Sequence, residues 1–174
     1  MKLKKQLRPV PVVLVSLIVL GSVAAMAQKR FSILRPLARP EVKVMLSGAV
    51  ERDKKNIALD QSVTVNRGEI MSWTITSTNE GNAPARDYKA VGVIPAGTQI
   101  VAGSVSADGS AKVTYSIDNG KSFSAQPTIE EKQADGSTKR VPAPTSMYTQ
   151  IRYEWDDPLN EGAKLSAFYK VRLN

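Results

Sequence analysis

Residues 73–85 read WTITSTNEGNAPA, Trp73 to Ala85. The first half alternates apolar and polar side chains. Extended back to Glu69, the run EIMSWTITSTN places Met71, Trp73, Ile75 and Ser77 on one face and Ser72, Thr74 and Thr76 on the other. A period of two in β-branched and aromatic residues is the pattern of a half-buried strand. NEGNAP then ends it, because Asn and Gly tolerate positive φ and Pro lacks a backbone donor. The stretch therefore predicts a central strand that leaves the core and turns.

The same grammar recurs on both sides. EVKVMLSGAV puts Val42, Val44 and Leu46 on one side, and SVTVNRG gives a short run at Val63 and Val65 closed by Gly68. RDYKAVGVIPAG reads as a strand ending in a Pro-Ala-Gly turn, and TQIVAGSVS as another. AKVTYSIDNGKSF reads as a hairpin, since Asn119-Gly120 suits a type I′ turn that needs positive φ twice. Near the end, Ile151, Tyr153 and Trp155 stand in phase, as do Leu165, Ala167, Tyr169, Val171 and Leu173. Asp157-Pro158 and Glu161-Gly162 supply the turn between them. Phe123 to Tyr148 is polar and Pro-rich and reads as a long loop with a small hairpin at Asp135-Gly136. No helical period of useful length follows residue 40. The expectation is an all-β, antiparallel, immunoglobulin-like β-sandwich of about seven to nine strands over 41–174, with Trp73 and Trp155 as core anchors.

Residues 1–27 read differently. Lys2, Lys4, Lys5 and Arg8 precede the apolar run Val10–Ala25, and Ala25-Met26-Ala27 places small residues at both outer positions of a cleavage site. That is the pattern of a secretory signal peptide cut before Gln28, with a retained membrane anchor as the alternative. Residues 28–40 form a basic, Pro-containing linker or docking tail bearing Phe31, Ile33, Leu34 and Leu37. Its charges suit an anionic envelope surface. The expected location is exported, in the periplasm or at the cell surface or envelope, with no transmembrane span after cleavage.

The chain holds 24 basic and 16 acidic residues, for a net charge of +8. Eight of the basic residues and none of the acidic ones precede Glu41, so the remaining body carries sixteen of each. A neutral body lacks the clustered positive face of a nucleic-acid binder. Nucleic acid is therefore not an expected partner.

GEIMSWTITSTNEGNAPARDYKAVGVIPAGTQIVAGSV, residues 68–105, followed by YSIDNGKSFSAQPTI and IRYEWDDPLNEGAKLSAFYKVRL, resembles a bacterial surface-protein module of unknown function, the "conserved repeat domain" family. The likeness runs from Glu41 to Asn174 and rests on Thr-Asn-x-Gly, Ala-Pro-Ala and Ile-Pro-Ala-Gly-Thr in order. It implies an immunoglobulin-like spacer or interaction domain of exported proteins, with no catalytic residues to carry over. One copy lies in this sequence, which favours an accessory role over a long stalk.

Catalytic plans are few. The chain has no histidine and no cysteine. Ser-His-Asp and Cys-His arrangements and the usual zinc, copper and haem ligand sets are thereby excluded. Glu154, Asp156 and Asp157 offer oxygen ligands for Ca²⁺, although their strand positions read more simply as a solvated edge. Glu130, Glu131 and Asp135 lie beside Lys132, Lys139 and Arg140 and read as a mixed-charge loop rather than a glycosidase pair. Tyr88, Tyr115, Tyr148, Tyr153 and Tyr169 read as core or sheet-face residues, with a carbohydrate platform as the alternative. No catalytic, cofactor or metal site is expected. The reading is an exported, non-catalytic structural or interaction protein that contacts other envelope or surface proteins. The alternative is a binding module for an envelope polysaccharide or small ligand.

Overall fold

A computed structural model describes residues 37–60 and 62–174. The signal-peptide reading of 1–27 and most of the 28–40 tail lie outside the described residues. The strands are β1 (Val42–Arg52), β2 (Lys55–Ala58), β3 (Ile70–Asn79), β4 (Lys89–Val93), β5 (Thr98–Ile100) and β6 (Ser106–Ala107). They continue as β7 (Ala111–Ser116), β8 (Thr128–Lys132), β9 (Thr138–Pro142), β10 (Gln150–Trp155) and β11 (Lys164–Leu173). A 3₁₀ turn, Thr145–Met147, precedes β10. All strand pairings are antiparallel. The first sheet runs β2-β1-β3-β11-β5, with β6 also on β11; the second runs β4-β10-β7; β8 and β9 pair only with each other.

The alternation around Trp73 works as expected. β3 pairs on one side with β1 and on the other with β11. Met71 and Ile75 on β3 and Ala167, Tyr169 and Val171 on β11 bury one face of the first sheet. Ile151, Tyr153 and Trp155 on β10 and Ala90 on β4 bury one face of the second, within the same apolar cluster. Side chains on paired strands share a face, so one core is filled from two sheets.

The end of β3 is fixed by one residue. Asn79 is fully buried. Its Oδ1 accepts from the Glu41 and Gly81 amides at 3.1 Å each. Its Nδ2 donates to the Ala83 carbonyl at 2.7 Å and the Leu159 carbonyl at 2.9 Å. The turn that NEGNAP announces is therefore wound around a satisfied side-chain amide, and Ala85 then bridges to Leu159.

Several expectations need correction. Among the described residues eleven strands stand where seven to nine were expected, and the additional ones are short. TQIVAGSVS is not one strand: a turn at Val101–Ser104 with Gly103 at φ 72° splits it into β5 and β6. Val63–Val65 is not a strand. Its neighbourhood is satisfied by side chains instead, with the Arg52 guanidinium donating to the Thr64 carbonyl and the Asn66 amide donating to the Glu69 carboxylate. The Asn119-Gly120 turn forms, with φ of 58° and 85°, but its return limb is a single bridge between Tyr115 and Ser124. The hairpin at Asp135-Gly136 forms as β8–β9.

Candidate functional site

The tyrosines join the two sheets. The Tyr153 hydroxyl on β10 donates to the Phe168 carbonyl on β11 at 2.9 Å. The Tyr169 hydroxyl on β11 donates to the Val93 carbonyl on β4 at 2.8 Å. Tyr88 donates to Ser77 at 2.7 Å and stacks on Trp155 at 5.8 Å. Tyr115 and Tyr148 stack on each other at 4.8 Å. None of the five is exposed. Burial raises the pKa of Tyr153 well above the ordinary phenol range and that of Tyr169 to about 12. An exposed aromatic platform for carbohydrate is therefore not formed by these residues. Trp155 does anchor the core, donating to the Asp108 carbonyl at 2.8 Å. Trp73 is only partly buried and packs over Gly48, where an added Cβ would stand 2.7 Å from the indole.

The acidic candidates are scattered. Glu154 faces outward on β10 and pairs with Arg152 beside it and with Lys89 at 3.6 Å. Asp156 and Asp157 are exposed in the turn that follows. Among the described residues no three acidic side chains converge to hold a cation. Glu130 and Glu131 stand opposite Arg140 and Lys139 across the β8–β9 hairpin, as the mixed-charge reading expects. Asp118 is engaged locally: it accepts from the Ser122 hydroxyl and amide and from the Ser116 hydroxyl, which holds its pKa down at about 2.

Three surfaces remain that suit recognition. The first is the β8–β9 hairpin, in which eight of ten residues are exposed. An isolated two-stranded ribbon is marginal in water, and this one carries opposite charges in facing pairs rather than a core. The second is an open hollow of about 530 Å³ at one end of the sheets. Pro95, Gly97, Met147 and Tyr148 are among its lining residues, and Asn119 and Gln150 provide amides. Its lining contains no carboxylate and no amine, so it offers no general acid or base of ordinary pKa.

The third is the edge of β1. β2 covers only Ala49–Arg52, and among the described residues Val42–Ser47 pair with β3 alone. Sequence reading placed Val44 and Leu46 on one side correctly, and they do share the face of Val50. Val50 is fully buried, yet Val44 and Leu46 remain 56% and 54% exposed. The second sheet has three strands and does not reach over them. Nothing in the local pattern signals this, because coverage is a property of the opposite sheet. Among the described residues no helix is long and apolar enough to cross a membrane. No family model, curated protein or solved structure matches this chain.

Proposed function

We propose that this chain is an exported, non-catalytic interaction protein, an accessory component of a cell-envelope or surface assembly, built as one immunoglobulin-like β-sandwich. The carrying observation is the projecting β8–β9 hairpin, which carries both charge signs on each face, Glu130 with Arg140 and Lys132 on one and Glu131 with Lys139 on the other. Such a ribbon on a rigid body is what recognition by a partner protein uses, since loops on a fixed scaffold carry binding. The charge-patterned start of the chain supports export. The resemblance to the surface-protein "conserved repeat domain" family supports the same role and the finer topology. The basic 28–40 segment fits contact with an anionic envelope.

The test is the native size of the protein in gently solubilised envelopes, with mass spectrometry of what co-migrates. Migration in a large complex is expected. Replacing residues 128–142 with a short Gly-Ser linker is expected to abolish co-migration while leaving the melting temperature nearly unchanged. Migration of the unaltered chain at monomer size sinks the assembly reading. A second reading, a binding module for an envelope polysaccharide or small neutral ligand, is favoured by the amide-lined hollow at Asn119 and Gln150. Saturable binding lost on Gln150→Ala would establish it.

A further inference from the structure

We infer that the open run of β1, Val42–Ser47, pairs edge to edge with the same run of a second copy, continuing the first sheet across a two-fold axis at Met45. The argument starts with the backbone. The Leu59 amide donates to the Gly48 carbonyl at 2.8 Å, so the polar groups of Gly48 point away from β3. In a strand this direction alternates, so Val42, Val44 and Leu46 present theirs to the same open side. An unpaired edge of this kind is a template for another strand, and natural edges block it with proline, bulges or inward charges. Val42–Ser47 contains no proline, and its one charge, Lys43, lies on the outer face in an ion pair with Glu80.

The side chains then select the occupant. Val44 and Leu46 are exposed on one face and Met45, 59% exposed, on the other. A strand that satisfies this edge must carry apolar residues on both faces, an unusual demand that the run itself meets. In an antiparallel register centred on Met45, Val44 stands opposite Leu46 of the second copy and Leu46 opposite its Val44. Met45 faces Met45, and Lys43 faces Ser47 rather than another lysine. Four aliphatic side chains come together on one face and two methionines on the other. The register is isologous, so it closes as a dimer instead of growing into a fibre. The body from Glu41 onward is electrically neutral, so no long-range repulsion opposes two copies meeting.

The chain contains no cysteine, which makes the test direct. Met45→Cys is introduced into the full chain, with Val93→Cys on the exposed edge strand β4 as the comparison. Directly opposed residues on antiparallel strands lie within disulfide range. Mild oxidation is expected to convert Met45→Cys, and not Val93→Cys, into a band of twice the chain mass. Met45→Lys and Met45→Glu are each expected to halve the native mass measured by light scattering, and mixing the two is expected to restore it. Monomer mass for the unaltered chain overturns the proposal. So does a Met45→Cys crosslink to a different protein, or a dimer that survives Met45→Lys and disappears when residues 28–36 are removed. The outcome is independent of whether the chain joins a larger envelope complex.

Discussion

Asn79 shows how much one polar side chain can hold in a core without disulfides. Its four hydrogen bonds tie together the start of β1, the turn after β3 and the segment before β11. Burying an amide is tolerable only when both ends are satisfied. Asn79→Ala removes all four bonds and leaves the Glu41 and Gly81 amides and the Ala83 carbonyl without these partners, while the Leu159 carbonyl keeps the Ala85 amide. The expected loss is about 3 kcal/mol or more, since each buried orphan costs about 1–3 kcal/mol and some will recruit water. Urea unfolding of the variant checks it; a loss below about 1 kcal/mol would mean that water replaces the side chain fully. At this scale the sequence was partly readable. Asn in a turn cluster was seen as a turn former. Its role as a buried anchor was not, because the two carbonyls it reaches lie 4 and 80 residues away.

Elements were legible in proportion to how strongly period and propensity agreed. β3, β10 and β11 combine strict alternation with β-branched or aromatic residues, and all were readable. β2 was not, for two physical reasons. Its four residues KNIA are all exposed, so burial imposes no pattern on them. The turn before it also lacks the expected residues. Arg52 pairs with Lys55 across a two-residue loop, and Asp53 and Lys54 both take positive φ, 51° and 61°. That is the type I′ conformation usually given to Asn-Gly. A lysine held there costs about 1–2 kcal/mol against its preferred backbone, and a glycine would recover this less about 0.5–1 kcal/mol of unfolded-chain entropy. Lys54→Gly is therefore expected to stabilise the protein by about 0.5–1 kcal/mol, read as a rise in the urea midpoint at constant m. A fall in stability would show that the Lys54 side chain makes a contribution larger than the backbone strain. The β1 edge was invisible for a different reason. Alternation predicts which residues share a face, and it carries no information about whether another sheet covers that face.

For the whole molecule, stability depends on pH through carboxylates held within local turns and through the tyrosines that join the two sheets. Glu69 is hydrogen-bonded to Arg52 and to the Asn66 amide, which holds its pKa down at about 2 against an ordinary 4.5. Asp118 is similarly lowered from 3.8 to about 2. As pH falls below those ordinary values, the unfolded chain takes up protons first. Stability present above about pH 5 is then lost progressively towards pH 2. Both carboxylates remain partly exposed to solvent, so this loss is shallow and weakens with salt. The alkaline side differs. Tyr169 is raised to about 12 and Tyr153 is raised further, by burial first and, for Tyr153, by neighbouring tyrosines as well. The unfolded chain ionises these phenols near pH 10 while the folded chain keeps them protonated. Their contribution is complete below about pH 10 and is lost as pH rises through about 12. Ionisation would also remove the hydroxyl protons donated to Phe168 and Val93, the bonds that cross between the sheets. Tyrosinate absorbance from Tyr153 and Tyr169 is therefore expected to appear only together with loss of the strand circular-dichroism signal. In Tyr169→Phe one such phenol should disappear from that late, cooperative step. If every tyrosine ionised near pH 10 with the circular dichroism intact, the two rings would be reachable by water in the folded state, and the cross-sheet bonds could not be what joins the halves of the core.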